Sequence, residues 1–166
     1  MTLIVSDNSP LNLLVRLGVA EILPRLFTRI VIPPEVAQEM RHAKAPQAVR
    51  SFVDNPPDWL EICAPKNLLS MAELDPGEVA AISLAIELQA TLMIDERAGR
   101  VAAESRGLKI VGAIGVLERA ANEGLIADLQ QLHDRIKKMR FHVGEDVLKK
   151  SLERHLAFVK AMRAGG

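Results

Sequence analysis

The chain contains no tyrosine, one tryptophan and four phenylalanines, so that aromatics make up 3% of its 166 residues. A nucleic-acid platform that stacks bases on aromatic rings is therefore a poor fit. Net charge is lacking too, since 21 Lys and Arg balance 21 Asp and Glu. No global field draws in a polyanion, and any such contact has to come from local basic patches. The single cysteine, Cys63, excludes an intrachain disulfide framework and a cysteine-rich zinc site, and is expected as a small core residue in a reducing compartment. No apolar run approaches membrane-spanning length, and Asp7 interrupts the N-terminal apolar stretch too early for a secretory leader. The cytoplasm is the expected location, without membrane contact.

What is present is an aliphatic core: 49% of residues are hydrophobic, chiefly Leu, Ile, Val and Ala, in a chain long enough to bury them as one domain. The most informative stretch runs from Leu74 to Arg97. Asp75 suits a helix cap, Pro76 suits the first helical position, and Val79, Ile82 and Ile86 with Ala81 and Ala85 form an apolar helical face. Glu78 falls in the first turn. Thr91 to Ile94 is a short apolar run of the kind that parallel sheets bury on both faces, and Asp95 is its exit residue.

The same pattern recurs along the chain. Leu3-Ile4-Val5 reads as a strand leaving at Asp7, followed by a helix over 11–17 closed by Gly18. Residues 19–27 read as a second helical piece broken or kinked at Pro24. Arg29 to Ile32 is a strand stopped by Pro33, and Pro34 opens a helix with Glu35 and Glu39 on one face. Residues 43–58 look like a surface excursion around a short amphipathic piece with Val49, Phe52 and Val53, and Trp59 to Ile62 like an edge strand. A helix over 98–105, a last strand over 109–111 and a helix over 113–122 complete the alternation. Strands alternating with helices predict a three-layer α/β/α fold on a twisted parallel sheet, in a domain spanning 1–126. From residue 127 to 166 the pattern is helical only, with stripes Leu129, Leu132, Ile136, Met139 and Val147, Leu148, Leu152, Leu156, Val159, expected to pack on the sheet domain or on a second subunit.

In open α/β sheets the ligand crevice lies beyond the carboxyl ends of the strands. Asp7, Glu39, Glu78 and Asp95 can converge there, with Glu35 and Glu96 nearby. Carboxylate oxygens suit Mg²⁺ or Mn²⁺, and an ion so held can activate water and offset charge developing on a phosphodiester. Each acid also has a plainer reading. Asp7 and Asp95 can cap the helices that follow them, Glu78 stands in a capping-box position to Asp75, and Glu39 can be a solvated helix acid. Convergence of several segments on one edge favours the chemical reading, with Asp7, Glu39, Glu78 and Asp95 as catalytic acids and Asp7, Glu78, Asp95 and Glu96 as metal ligands.

These residues resemble, in order and in kind, the PIN-domain ribonucleases, which include toxins of VapBC-type toxin-antitoxin pairs. Ile4-Val5-Ser6-Asp7-Asn8-Ser9 is similar to the first block of that family, and Ile32 to Glu39 to the second, whose acid falls on Glu39. Leu74-Asp75-Pro76-Gly77-Glu78-Val79-Ala80-Ala81-Ile82 resembles the third and Leu92-Met93-Ile94-Asp95-Glu96 the fourth. The resemblance covers residues 2–126 and is strongest to a prokaryotic branch marked by the Gly-Glu block, by Asp95 to Arg100 and by Gly112 to Leu117. It implies metal-dependent cleavage of RNA, a homodimer, and an antitoxin whose C-terminal segment blocks the site. Ile94 stands where many family nucleases carry Thr or Ser, and Glu78 replaces the commoner Asp, which keeps open an inactive relative acting through protein contacts.

Around the acids, Ser9, Arg97 and Arg100 are candidate substrate contacts, with salt bridging as the plainer role of the arginines. His42, His133, His142 and His155 share no ligand spacing and are expected at the surface. Lys137, Lys138 and Arg140, with Lys149, Lys150 and Arg154, form the densest basic segment, read as a solvated helix face or an RNA contact. A response-regulator receiver is disfavoured because Asp7 stands alone after its strand and Lys109 enters a strand instead of leaving one. A nucleotide-binding Rossmann domain is disfavoured by the lack of a Gly-rich phosphate loop.

Overall fold

The computed structural model describes residues 2–139 and 141–165. Five parallel strands, β1 (Leu3–Ser6), β2 (Arg29–Ile32), β3 (Leu60–Ile62), β4 (Thr91–Met93) and β5 (Ile110–Val111), form one sheet in the order β3-β2-β1-β4-β5. Ile4 lies between Ile30 and Thr91, and Val5 between Val31 and Leu92. Successive strand residues point to opposite faces. Ile4 and Val5 are nevertheless both fully buried, as are Val31 with Ile32 and Leu92 with Met93, so the central strands are covered on both sides.

The covering helices are α1 (Asn8–Arg16), α2 (Leu23–Leu26), α3 (Pro34–Arg41), α4 (Gln47–Asp54), α5 (Pro76–Leu88) and α6 (Arg97–Glu104), giving the three-layer α/β/α arrangement expected of the alternating pattern. The piece over 19–27 is broken as expected, into a 3-10 turn (Ala20–Ile22) and α2, and Pro24 falls in the first turn of α2, where its missing N–H is harmless. The segment 43–58 departs from expectation more sharply. Val49 and Val53 of α4 are fully buried against α1 and α3, so this piece belongs to the core and not to a surface excursion. The sequence marks the piece as amphipathic, but which elements its apolar side meets is set by segments remote in the chain. Cys63, expected inside, is exposed just beyond the edge strand β3.

By compactness the chain forms two units, residues 1–113 and 114–166. The second contains most of α7 (Ala113–Asn122), with α8 (Leu129–Lys138) and α9 (Glu145–Gly165). The α8 stripe Leu129, Leu132 and Ile136 is buried, and His133, expected at the surface, is buried with it. The α9 stripe differs: Leu148 is buried, while Val147 and Leu156 are exposed. Arg154 makes a two-pronged ion pair with Glu118 at 2.8–2.9 Å, and the Nδ1 of His155 lies 2.7 Å from the side-chain oxygen of Asn122. His42 and His142 are exposed. Of the basic segment, Lys137, Lys138, Lys149 and Lys150 are exposed, Arg154 is engaged with Glu118, and Arg140 lies outside the described residues. Among the described residues no helix is long and apolar enough to cross a membrane.

Candidate active site

The chain steps from β1 to β2 to β3 in one direction and then returns to place β4 and β5 on the other side of β1. The switch therefore falls between β1 and β4, where adjacent loops part and leave a crevice at the carboxyl ends of the strands. Ser6 pairs with Met93 in the register of these two strands, and the backbone N–H of Asp7 donates to the Met93 carbonyl at 2.9 Å. Asp7 and Asp95 thus leave neighbouring strands at the same edge.

Asp7 precedes α1 with extended backbone in the position of an N-cap, but its side chain makes no capping bond. Its residue is 3% exposed, and its Oδ1 is buried with no hydrogen-bond partner among the described residues. Burial pushes its carboxyl up to about 8, a backbone bond at Asn8 opposes the shift, and Asp75, Glu78 and Glu39 reinforce it. Three acids from two segments therefore bring negative charge to bear on Asp7.

The start of α5 organises two of them. The Glu78 N–H donates to Asp75 Oδ1 at 2.8 Å and the Asp75 N–H to Glu78 Oε1 at 3.3 Å, which is the reciprocal capping box. One turn of helix leaves further N–H groups to satisfy, and Gly77 donates to Glu39 Oε1 of α3 at 3.1 Å. The carboxylates also benefit from the positive end of the helix dipole. Gly77 lets this approach happen: a Cβ at that position would run into the Glu39 carboxylate and displace it. Burial and Asp75 raise the Glu39 carboxyl, while the Gly77 N–H and the Asn8 side chain hold it down.

Capping occupies only one oxygen of Glu78. Its Oε2 is buried and unpartnered among the described residues, close to Gly99 and Ile94. Burial raises this carboxyl to about 7, with the charges of Asp75 and Glu96 acting in the same direction and the backbone bond at Asp75 opposing. Asp95 divides in the same way. Its Oδ1 accepts from the N–H of Ala113, the first residue of α7, at 3.0 Å, and its Oδ2 is buried without a partner among the described residues. Burial raises Asp95, the Ala113 N–H and Arg100 lower it, and Glu96 raises it again.

The remaining candidates lie further out. Glu96 is exposed at the start of α6, Arg97 is the exposed first residue of that helix, and Ser9 is half-buried in the first turn of α1. Arg100 donates to the Ile94 carbonyl at 3.1 Å and faces Asp95, so it braces the strand end. Glu35 lies in the first turn of α3 and is not among the acids that act on Asp7. Asp75 and Asn8, which carry no site signal in the sequence, both reach the acids. Asp75 was legible as a cap, and nothing in its spacing shows that the cap faces Asp7 and Glu39.

Buried, unpaired carboxylate oxygens on Asp7, Glu78 and Asp95 are hard donors of the kind Mg²⁺ and Mn²⁺ take, so the residues fit a divalent ion in kind. As placed, no three acid, His or Cys side chains among the described residues stand close enough together to hold one.

Fold and site together define a class: all-parallel α/β/α proteins with acids gathered where the strand order reverses. A PIN domain family model matches residues 3–156, and the chain belongs to that family. The match continues past residue 126, through α8 and into α9. A PilT N-terminus domain protein from the hyperthermophilic archaeon Sulfolobus solfataricus shares the fold, with a TM-score of 0.53 and 15% identity over 71% of this chain and 92% of that one. No curated protein sequence matches the chain.

Proposed function

We propose that the protein is a metal-dependent endoribonuclease that hydrolyses RNA phosphodiesters, with Mg²⁺ or Mn²⁺ as the ion, and that it is the toxin of a toxin-antitoxin pair. The observation that carries this reading is the set of buried, unpartnered oxygens on Asp7, Glu78 and Asp95 at the switch point of a PIN domain. Carboxyls raised this far hold protons until a cation or a better partner takes their place. A divalent ion, when bound, would offset the acids and polarise a phosphodiester.

The chain's own residues supply the rest. Asp7, Glu78 and Asp95 would hold the ion through their free oxygens, while the bonds to Asp75 and Ala113 fix the rotamers of Glu78 and Asp95. Glu39 is anchored on the Gly77 N–H and keeps negative charge at the wall of the crevice. Glu96, exposed at the rim, would join the ligands. Arg97 and Ser9 are the outer groups available to a phosphate, and Arg100 positions Asp95. An antitoxin tail and a second subunit are the partners that follow from the toxin reading.

The test is cleavage of end-labelled single-stranded RNA by purified protein with Mn²⁺, Mg²⁺ or EDTA. Cleavage in either metal, absent in EDTA and in Asp7→Asn and Asp95→Asn, is the expected result. Equal degradation by wild type and both variants would trace the activity to a contaminant.

A further inference from the structure

We infer that the exposed face of α6 is the track along which single-stranded RNA reaches the acids. This rests on the nuclease reading above and extends it to the path of the strand. An open groove of about 620 Å³ is lined by Arg97, Ala98, Val101, Ala102, Ser105 and Arg106 of α6 and its end, together with Glu73 from the loop before α5. On a helix, positions 97, 98, 101, 102 and 105 share one face, and the opposite face holds the buried Gly99 and Ala103.

Three features of that face match a polynucleotide. Arg97 begins the groove two residues after Asp95, so the groove is continuous in sequence with the acid edge. Arg106 ends it, and the rise of a helix separates the two guanidinium-bearing positions by roughly 13 Å, enough for more than one phosphate of a strand. Arg106 bonds the Ala102 carbonyl through one Nη1, which holds the side chain against the helix end and leaves its other donors to a phosphate.

Between the arginines, Val101 is 60% exposed and flanked by Ala98 and Ala102. This is a low apolar surface, with no ring to stack on, against which a ribose or base can lie. Glu73 is the acid of the lining; it can accept from an amino group on a base edge and repels a phosphate, so it favours a strand whose backbone runs on the arginine side. An acidic peptide would also meet the arginines, and the binding test distinguishes it from RNA.

The experiment uses the full chain carrying Asp7→Asn, so that RNA is not consumed, and measures fluorescence anisotropy of a labelled single-stranded RNA octamer in EDTA. Arg106→Glu and Val101→Glu are each expected to weaken binding at least about tenfold, and Arg106→Glu to flatten its salt dependence. Lys137→Glu on α8 is expected to change it less than about twofold. Loss of binding in Lys137→Glu with Arg106→Glu unchanged would move the RNA to the C-terminal helices and overturn the inference. So would tighter binding of an acidic peptide than of RNA that Arg106→Glu abolishes.

Steady-state cleavage separates the two proposals. A raised KM with unchanged kcat in Arg106→Glu supports the track. Binding along α6 with no cleavage by wild type leaves the track standing and removes the nuclease. Cleavage with KM unmoved by Arg106→Glu and Val101→Glu leaves the nuclease and removes the track.

Discussion

Replacing Asp7 by asparagine keeps the shape of the side chain and removes the charge that the fold accommodates least. An unfolded Asp7 ionises near its ordinary value of 3.8, whereas the folded chain holds its proton up to about 8. Below pH 3.8 both states are protonated and the group has no effect on stability. As pH rises the unfolded chain releases the proton first, so the stability present at low pH is lost progressively and the loss is complete once pH passes 8. Each unit corresponds to about 1.4 kcal/mol, which makes the full span about 6 kcal/mol, and relaxation or water entry is expected to leave at least about 2 kcal/mol of it.

In urea unfolding with EDTA present, Asp7→Asn is therefore expected to exceed wild type by about 2 kcal/mol or more at pH 8, with the difference closing towards pH 4. Glu78, raised to about 7, gives the wild type a further decline of the same sign, and removal of the neighbouring charge at Asp7 relieves it. Mn²⁺ is expected to stabilise the wild type and to leave the variant unchanged, because a ligand bound only by the folded state adds stability in proportion to its affinity. A wild type equally stable at pH 5 and pH 8, with Asp7→Asn offset by the same amount at both, would refute the reasoning.

The other predictions concern the frame around the acids. Gly77→Ala places a methyl group on the Glu39 carboxylate, and the displaced side chain gives up its bond from the Gly77 N–H; the expected loss is about 1–3 kcal/mol by denaturant unfolding with helix content retained. Asp75→Ala removes half of the capping box, a loss of about 1 kcal/mol at pH 5. That loss is expected to shrink at pH 8, because the same change takes negative charge away from Asp7, Glu39 and Glu78. A loss that grows with pH instead would count against the electrostatic coupling. Cys63 is expected to react fully with a thiol reagent in native buffer, and protection lifted only by denaturant would contradict its exposed position.

The plainer readings of the acids turn out not to exclude the chemical one. Glu78 does complete a capping box, and Asp95 does satisfy a helix N–H, although the helix is α7 and not the one that follows it in sequence. Each uses one oxygen for this and keeps a second one buried and unpaired. A carboxylate has enough acceptor sites to hold a helix end and still present an oxygen elsewhere. Asp7 shows the opposite division, standing at a cap position without capping. Two consequences follow for design of variants. Amide substitutions at Glu78 and Asp95 preserve part of the framework, whereas alanine removes framework and charge together.

Much of the domain was legible from local rules. Short β-branched runs such as Ile30-Val31-Ile32, turn chemistry at Asp75-Pro76-Gly77, and acids at strand exits follow from backbone sterics, capping and alternation, which depend on near neighbours. The ordered blocks around Asp7, Glu39, Glu78 and Asp95 carried the family as well, because their series is recorded along the chain. What the tertiary structure alone decided depends on residues remote in sequence. Strand order put the switch between β1 and β4, burial turned α4 and His133 inward and Cys63 outward, and packing brought Asp75 and Asn8 against the acids. Periodicity reports how much of a face is apolar, but desolvation and charge repulsion are set by which other groups lie across the gap, and only the folded chain fixes that distance.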